Sequence, residues 1–509
     1  MMSGMRASTA FARVIGVDVG GALNLVGSLV KFLAAAFLFP VAIALGYGEP
    51  VWPFLVAGAA TLLFGAGLEH VTEGRDRIGP REGYLVVSLL WLLVALFGAV
   101  PYLLAEPQLA RPVDALFESM SGFSTTGASA LTDIPVVSRS MLMWRQFTTW
   151  LGGVGIIVLF LAVLPRLRVG GRQALFKAEA PGPELPLATT IRQTARRFAV
   201  LYVGITVLEI AALTTIGLTG LDRRMTLFNA VAHSFATIAT AGFSPEARSL
   251  EPFQPVTQWV VVLFMLVAGT NFALMYAGIV GRRVRLFATD EEFRVGLALV
   301  AVASALVVAE LLNAGALGGH DAVRHGVFNT VSMFTTTGFV SSDFNEWPQL
   351  TWLILFGLVL VGASAGSTSG SVKLIRHIVI AKMLRRELDQ SVHPHVVAPL
   401  RVNGRPIDER ALRAIIFFVL LYLGICAAGA VVVMAGSSFQ GDPVTAFESI
   451  AASISMLGGA GPALGFAGPM GSFAPFDDFS TLVLTALMYL GRLELIPVLV
   501  LFTAGHWRA

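Results

Sequence analysis

Four short segments of this sequence end in the same kind of turn, in which two small or hydroxyl-bearing residues precede a glycine. The twelve residues are Thr125, Thr126 and Gly127; Thr240, Ala241 and Gly242; Thr336, Thr337 and Gly338; and Gly459, Ala460 and Gly461. Glycine permits the backbone angles that turn carbonyl groups towards one point, and rings of carbonyl oxygens replace the water shell of a monovalent cation. The pattern predicts cation coordination by four carbonyl groups, those of Thr126, Ala241, Thr337 and Ala460.

The segments that lead into these turns are too short to cross a bilayer. They span Asp114–Thr126, Leu227–Ala241, Ala322–Thr337 and Val444–Ala460, each with helical periodicity. A half-spanning helix followed by an irregular turn is tolerated at membrane depth only where it is buried in protein or lines a water-filled cavity. Four such helices around one axis would direct their negative C-terminal ends at a cation. For any single turn, the alternative is an ordinary helix C-cap followed by a loop.

The rest of the chain must hold these turns in a membrane. Of its 509 residues, 55% are hydrophobic and only 13% are charged, against about 25% in a soluble domain. Several apolar runs are long enough to cross roughly 30 Å of hydrocarbon. We predict an all-α polytopic membrane protein. Four repeated helix–pore loop–helix units would surround a pseudo-fourfold pore, with two extra N-terminal transmembrane helices.

The predicted boundaries follow from this repeat. The two leading helices (22–46 and 51–70) lie in residues 1–72, and the four repeats occupy 73–170, 171–284, 285–400 and 401–509. The first helices of the repeats are predicted at 83–105, 195–218, 292–314 and 411–436. The second helices are predicted at 143–164, 256–281, 351–385 and 479–503.

Charge is distributed unevenly between alternate loops. Most arginines lie within 75–81, 166–197, 282–294 and 373–413. By the positive-inside rule these loops and the N-terminus are cytoplasmic, so the basic clusters indicate topology rather than nucleic-acid binding. Acidic residues such as Asp114 and Glu118 fall on the outer side, where they would concentrate cations unless they are merely solvated loop charges. The single cysteine, Cys426, cannot form an intramolecular disulfide.

The second helix of the third repeat contains an unusual stretch. Ten consecutive Gly, Ala, Ser or Thr residues, Gly362 to Ser371, predict a break in the helix, although a close-packed interface of small residues is an alternative. Arg492 lies near the middle of another apolar helix. An arginine there is costly unless it faces water or a partner, which favours a functional role over a structural salt bridge with Glu494 or Glu209.

In combination these motifs resemble a known family. The four turns, the continuation Gly461–Gly465, and the segments Trp150–Ile157, Ala365–Gly370 and Leu490–Glu494 are similar to the Trk/Ktr/HKT superfamily of potassium transporters, closest to its TrkH/TrkG branch. The similarity extends over about residues 22–506. Two departures are Ala241 in the second turn, where glycine is frequent in the family, and the absence of a side-chain hydroxyl in the fourth turn.

The resemblance implies potassium uptake across the bacterial inner membrane through a selectivity filter, without enzymatic activity. It further implies a gate beneath the filter, formed by an intramembrane loop and by an arginine that obstructs the pore and tethers the loop. The corresponding residues here are Gly362, Ala365, Gly366, Ser367, Thr368, Ser369, Gly370 and Arg492.

The resemblance also implies a homodimer and a cytoplasmic, TrkA-like nucleotide-binding regulatory subunit. The chain itself contains no Walker or Rossmann glycine fingerprint, so we expect it to bind no cofactor and any nucleotide to bind the partner. Two alternatives within transport are the potassium-translocating subunit of a Kdp-type pump and a Na⁺-coupled, KtrB-like transporter. An intramembrane enzyme would require a paired nucleophile and base, which we do not find in the sequence.

Overall fold

A computed structural model describes residues 16–74, 79–162, 191–394, 399–440 and 444–508. Its helices are α1 (Val19–Ala36), α2 (Leu38–Tyr47), α3 (Trp52–Val71), α4 (Pro80–Ala105), α5 (Pro112–Phe123), α6 (Arg139–Ala162), α7 (Ile191–Leu218), α8 (Leu227–Ala239), α9 (Pro255–Ala268), α10 (Phe272–Met275), α11 (Arg285–Thr289), α12 (Glu291–Asn313), α13 (Gly319–Phe334), α14 (Gln349–Val361), α15 (Leu374–Val392), α16 (Glu409–Gln440), α17 (Ala446–Gly458), α18 (Asp478–Arg492), α19 (Ile496–Leu499) and α20 (Ala504–Trp507). The strands in this part of the chain are β1 (Arg401–Val402) and β2 (Arg405–Pro406), which form one antiparallel hairpin.

The helices are long and apolar enough for a multi-pass membrane protein. Six of those described could cross a bilayer by length and composition, or eight if each of two sharply bent helix pairs is a single span. Between them lie the shorter helices α5, α8, α13 and α17, of 12 to 16 residues. The prediction of an all-α polytopic membrane protein is therefore confirmed.

Each short helix packs between two longer ones that are its neighbours in sequence. The pairs are α4 and α6 around α5, α7 and α9 around α8, α12 and α14 around α13, and α16 and α18 around α17. Each short helix also contacts the second long helix of the preceding unit: α8 packs on α6, α13 on α9, α17 on α14, and α5 on α18. Because the last of these contacts joins the fourth unit to the first, the four units pack in a closed cycle.

The leading helices pack on the outside of this cycle. Helix α1 contacts α3 and α4, and α2 contacts α6. Gly27 and Gly65 allow α1 and α3 to approach closely, since a methyl group on Gly27 would lie 2.7 Å from the carbonyl oxygen of Gly65. Lys31 on α1 forms an ion pair with Glu69 on α3, so the lysine charge is not left unpaired among apolar residues.

The second helices of repeats two and four, which the sequence predicts as continuous over 256–281 and 479–503, are both broken. Helix α9 ends at Ala268, and the chain bends by 99° before it resumes at Phe272. Asn271 caps the new helix, because its side-chain oxygen accepts hydrogen bonds from the backbone of Ala273 (2.8 Å) and Leu274 (3.1 Å).

The second unexpected bend, of 107°, follows α18. Glu494 and Leu495 adopt left-handed backbone angles (φ 54° and 61°), and Pro497 occupies the first turn of the next helix. The prediction of continuity was wrong because both segments are apolar enough to cross a membrane, and hydropathy does not detect a change of direction.

The break predicted in the third repeat is present. Helix α14 ends at Val361 and α15 begins at Leu374. The connecting residues turn back on themselves, with left-handed backbone angles at Gly362, Gly366, Ser371 and Lys373. Most of their side chains are buried. We call residues 362–371 the inner loop.

Candidate functional site

The four turns share one backbone geometry. In each, a residue one or two positions after the short helix has a left-handed conformation: Thr125, Thr240, Thr336 and Gly459, with φ between 52° and 68°. The N–H of the next residue donates to the carbonyl group five residues back, at 2.9 Å in Thr126, Ala241 and Ala460 and 2.8 Å in Thr337. This is a helix C-terminal cap repeated four times. The turns therefore occupy equivalent positions at the negative ends of four helices.

The turns touch one another in a closed ring. A methyl group on Gly127 would lie 2.2 Å from the backbone nitrogen of Gly242, and one on Gly242 would lie 2.9 Å from the carbonyl oxygen of Gly338. The next two contacts are also close. A methyl group on Gly338 would lie 1.7 Å from the Ala460 carbonyl oxygen, and one on Gly461 would lie 2.7 Å from that of Thr126.

An ordinary C-cap does not require such contacts. The alternative of four separate helix caps followed by loops does not explain why the glycines meet in cyclic order. Thr126, Ala241, Thr337 and Ala460 all have zero accessible surface in this ring. The ring thus gathers main-chain oxygens and the ends of four helix dipoles at one place, which is an arrangement suited to a cation without its water shell.

A buried ion pair braces the first two turns. Arg145 on α6 donates to Glu118 on α5 at 2.7 Å, and the two side chains are 1% and 0% exposed. Glu118 also accepts from the backbone N–H of Ala130 (2.8 Å), just beyond the first turn. Arg145 lies over the ring of Phe243 (4.2 Å) and donates to the Ser244 carbonyl group (3.3 Å), just beyond the second turn.

This ion pair was not predicted from the sequence, which suggested that Glu118 is an outer charge that attracts cations or is solvated. Neither interpretation holds, because the carboxylate is enclosed and paired. Asp114 is likewise 4% exposed and pairs with Arg111. The available signal was the position of Glu118 within an otherwise small and apolar short helix, where a charge requires a partner.

The inner loop packs against the ring of four turns. Gly370 donates its backbone N–H to the hydroxyl oxygen of Thr336 at 2.7 Å. A methyl group on Gly370 would lie 2.1 Å from the carbonyl oxygen of Gly458, which directly precedes the fourth turn. The loop is therefore in contact with the third and fourth turns.

Arg492 ties this loop to the first repeat. Its guanidinium donates to the carbonyl oxygen of Thr368 in the inner loop (3.1 Å) and to that of Gly152 on α6 (2.9 Å). The residue is 6% exposed, and no carboxylate in the described part of the chain forms a salt bridge with it. The salt bridge with Glu494 or Glu209 that the sequence left open is thus absent there; Glu494 pairs instead with Arg376 at 2.8 Å.

Charged residues hold both ends of the inner loop. Lys373 donates to the backbone and side-chain oxygens of Ser369, and Arg376 lies over the ring of Phe418 at 4.1 Å. Glu292 on α12 accepts from the backbone N–H of Ala365 (2.8 Å) and of Ile375 (3.2 Å). Glu292 was not predicted from the sequence, because its contacts depend on a loop that is more than 70 residues away in the chain.

A small cavity separates the ring from these charges. Its volume is about 20 Å³, and its lining includes Thr126 and Gly459 from the turns together with Lys373, Arg492 and Glu494. That volume holds about one water molecule. An ion that passed the ring would therefore meet a narrow space bordered by two cationic side chains and one carboxylate.

This chain is similar in sequence to known proteins. A family model described as TrkH, cation transport protein, matches residues 53–507. The chain is 32% identical to the Trk system potassium uptake protein TrkH of Halomonas elongata, over 96% of this chain and 98% of that protein. It is 30% identical to the Trk system potassium uptake protein TrkG of Escherichia coli, again over 96% and 98%.

A solved structure agrees with these matches. The crystal structure of the potassium transporter TrkH from Vibrio parahaemolyticus superimposes with a TM-score of 0.86, covers 97% of this chain and all of that one, and is 29% identical in sequence. The family comprises transport proteins and not enzymes. From its sequence matches and its architecture, this chain belongs to the TrkH family of cation transport proteins.

Proposed function

We propose that this protein takes up potassium ions through the ring of four turns, which acts as a selectivity filter. The observation that carries the proposal is the closed cyclic contact of the turns, each at the C-terminal end of a short helix. The names of the relatives, Trk system potassium uptake proteins, support potassium as the ion. The carbonyl groups of Thr126, Ala241, Thr337 and Ala460 would coordinate it, and a membrane voltage of 100 mV would supply about 2.3 kcal/mol per charge.

The inner loop and Arg492 form the gate in this proposal. The loop lies against two turns of the ring, and Arg492 fixes it to α6 through two carbonyl groups. A cation leaving the ring would approach a guanidinium in a poorly solvated space, where like charges repel strongly. Conduction would therefore require the inner loop and Arg492 to move out of the path of the ion.

Complementation tests the proposed transport. We expect the protein to restore growth at low potassium to a bacterium that lacks its own potassium-uptake systems, and purified protein in liposomes to take up rubidium. An empty vector and empty liposomes are the controls. Absence of growth and of rubidium uptake, with the protein present in the membrane, would contradict the proposal.

Replacing Arg492 with alanine tests the gate. We expect Arg492→Ala to increase rubidium flux into liposomes, by about tenfold for each ~1.4 kcal/mol removed from the barrier. Arg492→Gln should do the same, because it removes the charge and keeps a hydrogen-bond donor for Thr368 or Gly152. Arg385→Gln is the matched control, since this arginine on α15 is exposed and does not line the small cavity. Flux that stays at the wild-type level in both Arg492 variants, with normal amounts of protein, would remove the gating role.

Deletion of part of the inner loop is the complementary test. Removal of Ala365–Ser369 eliminates the Thr368 carbonyl group that Arg492 binds and also shortens the segment beneath the ring. We expect increased flux from this variant as well. Reduced flux with normal expression would show that the loop supports conduction instead of obstructing it.

The proposal extends to the oligomeric state and to a regulatory partner. We propose a homodimer in the bacterial inner membrane with the N-terminus in the cytoplasm, regulated by a cytoplasmic, TrkA-like nucleotide-binding subunit. The naming of the relatives as components of a Trk system supports a partner subunit. A Kdp-type subunit would instead co-purify with a P-type ATPase, and a KtrB-like transporter would require Na⁺ for rubidium uptake; neither behaviour is expected here.

A further inference from the structure

A second cavity lies beside the bend between α9 and α10. Its volume is about 290 Å³, and its walls include residues of α9, α10, α11, α12 and α13. Leu263 and Leu297, at its rim, are 58% and 46% exposed, and Phe287 and Phe293 pack edge to face with a centroid distance of 5.2 Å. In a membrane such an apolar cavity is in contact with acyl chains and not with water.

The floor of this cavity reaches the gate. Gly269, Thr335 and Ser364 line it. Ser364 belongs to the inner loop and donates its backbone N–H to the Gly269 carbonyl group at 3.2 Å. Thr335 immediately precedes the third turn, and its hydroxyl lies 2.7 Å from that of Thr337 in the ring. An occupant of the cavity would therefore press on the junction between the α9–α10 bend, the inner loop and the third turn.

Four arginines lie close in sequence to residues of the cavity wall. Arg282, Arg283 and Arg285 lie between the cavity-lining residues Ile279 and Phe287, and Arg294 directly follows the lining residue Phe293. All four arginines are exposed. None of them forms a salt bridge with another described residue. An anionic lipid combines an apolar acyl chain, which suits the cavity, with a charged headgroup, which suits arginines on the segments that line it.

We propose that this cavity binds an anionic phospholipid, with an acyl chain in the cavity and the phosphate group at Arg282, Arg283, Arg285 and Arg294. Basic pockets between transmembrane helices on the arginine-rich side are suited to anionic headgroups, because the phosphate accepts several charge-assisted hydrogen bonds. The acyl chain buttresses the contact between Ser364 and Gly269, so the bound lipid holds the inner loop against the ring. This regulatory part rests on the function proposed above, whereas the binding part does not.

Binding is measured directly with a photoactivatable phosphatidylglycerol in liposomes, followed by mapping of the labelled peptides. We expect labelling within residues 263–300 and weaker labelling by the matching phosphatidylcholine probe. The triple variant Arg282→Gln, Arg283→Gln, Arg285→Gln should reduce phosphatidylglycerol labelling by at least about tenfold. The control, Arg385→Gln, Arg410→Gln, Arg413→Gln, removes the same number of charges from other exposed positions and should leave labelling unchanged.

The cavity itself is tested by filling it. Leu297→Trp should reduce labelling, whereas Leu306→Trp, at an exposed position on the same helix that does not line the cavity, should not. Equal labelling by both probes, or labelling that neither set of variants alters, would identify ordinary boundary lipid and overturn the proposal. So would protection of the cavity by a polypeptide of the regulatory subunit.

Rubidium flux tests the regulatory part. We expect faster uptake when phosphatidylglycerol is replaced by phosphatidylcholine, and the triple arginine variant should lose this dependence. If phosphatidylglycerol labels the cavity and wild-type flux does not depend on it, the lipid does not act on the gate. Because labelling is read without transport, failure of the lipid site and failure of the proposed transport are distinguishable.

Discussion

Replacing Gly338 with serine should abolish growth at low potassium. The backbone of Gly338 is left-handed (φ 77°), and a side-chain carbon there would lie 1.7 Å from the carbonyl oxygen of Ala460. Atoms cannot approach so closely, so the fourth turn must move by an ångström or more. The moving atom is a main-chain oxygen that we propose coordinates the ion, and it cannot rotate away as a flexible side chain would. The left-handed backbone adds a further strain of roughly 1–2 kcal/mol.

Two further variants make this test specific. Gly461→Ser should also fail to support growth, because a side-chain carbon there would lie 2.7 Å from the carbonyl oxygen of Thr126. Gly357→Ser is the matched control: this helical glycine in α14 has no neighbouring atom within 4 Å of the added carbon. It should grow like the wild type. Normal growth of both ring variants would show that the turns do not coordinate the transported ion.

The positions of the four turns could be predicted from the sequence because the requirement for them is local. A short helix, a left-handed residue and a close backbone contact each restrict the amino acid, and glycine or a small residue meets that restriction. The residue types around Thr125, Thr240, Thr336 and Gly459 are therefore sufficient to assign these four residues to equivalent positions. The break after Val361 was predictable for the same reason, since ten consecutive small residues favour it.

Contacts between distant parts of the chain could not be predicted in this way. The hydrogen bond between Glu292 and Ala365 joins residues that are 73 positions apart, so it depends on how the chain packs and not on the local sequence. The bends after Ala268 and Arg492 depend on a cap by Asn271 and on left-handed angles at Glu494 and Leu495, both within apolar surroundings. Hydropathy averages over such positions, so it identifies a membrane segment and misses its change of direction.

The second large effect is expected from Glu118→Ala, which should destabilise the protein by about 3–5 kcal/mol. The substitution leaves the guanidinium of Arg145 buried, at 1% exposure, without its carboxylate. It also removes the acceptor for the backbone N–H of Ala130 and for the Ser129 hydroxyl. Thermal unfolding in detergent should therefore begin at a markedly lower temperature than in the wild type.

An exposed ion pair serves as the control, because it shows the effect on stability of losing a charge that is not buried. Asp478→Asn disrupts the pair of Arg111 and Asp478, which are 50% and 63% exposed, and should cost no more than about 1 kcal/mol. The double variant Glu118→Gln, Arg145→Leu should recover part of the loss, because no isolated charge remains buried. Its potassium uptake should nevertheless stay low, since Arg145 also links the residues beyond the first two turns through Ser129 and Ser244. Equal unfolding temperatures for Glu118→Ala and Asp478→Asn would mean that the buried pair does not hold these turns together.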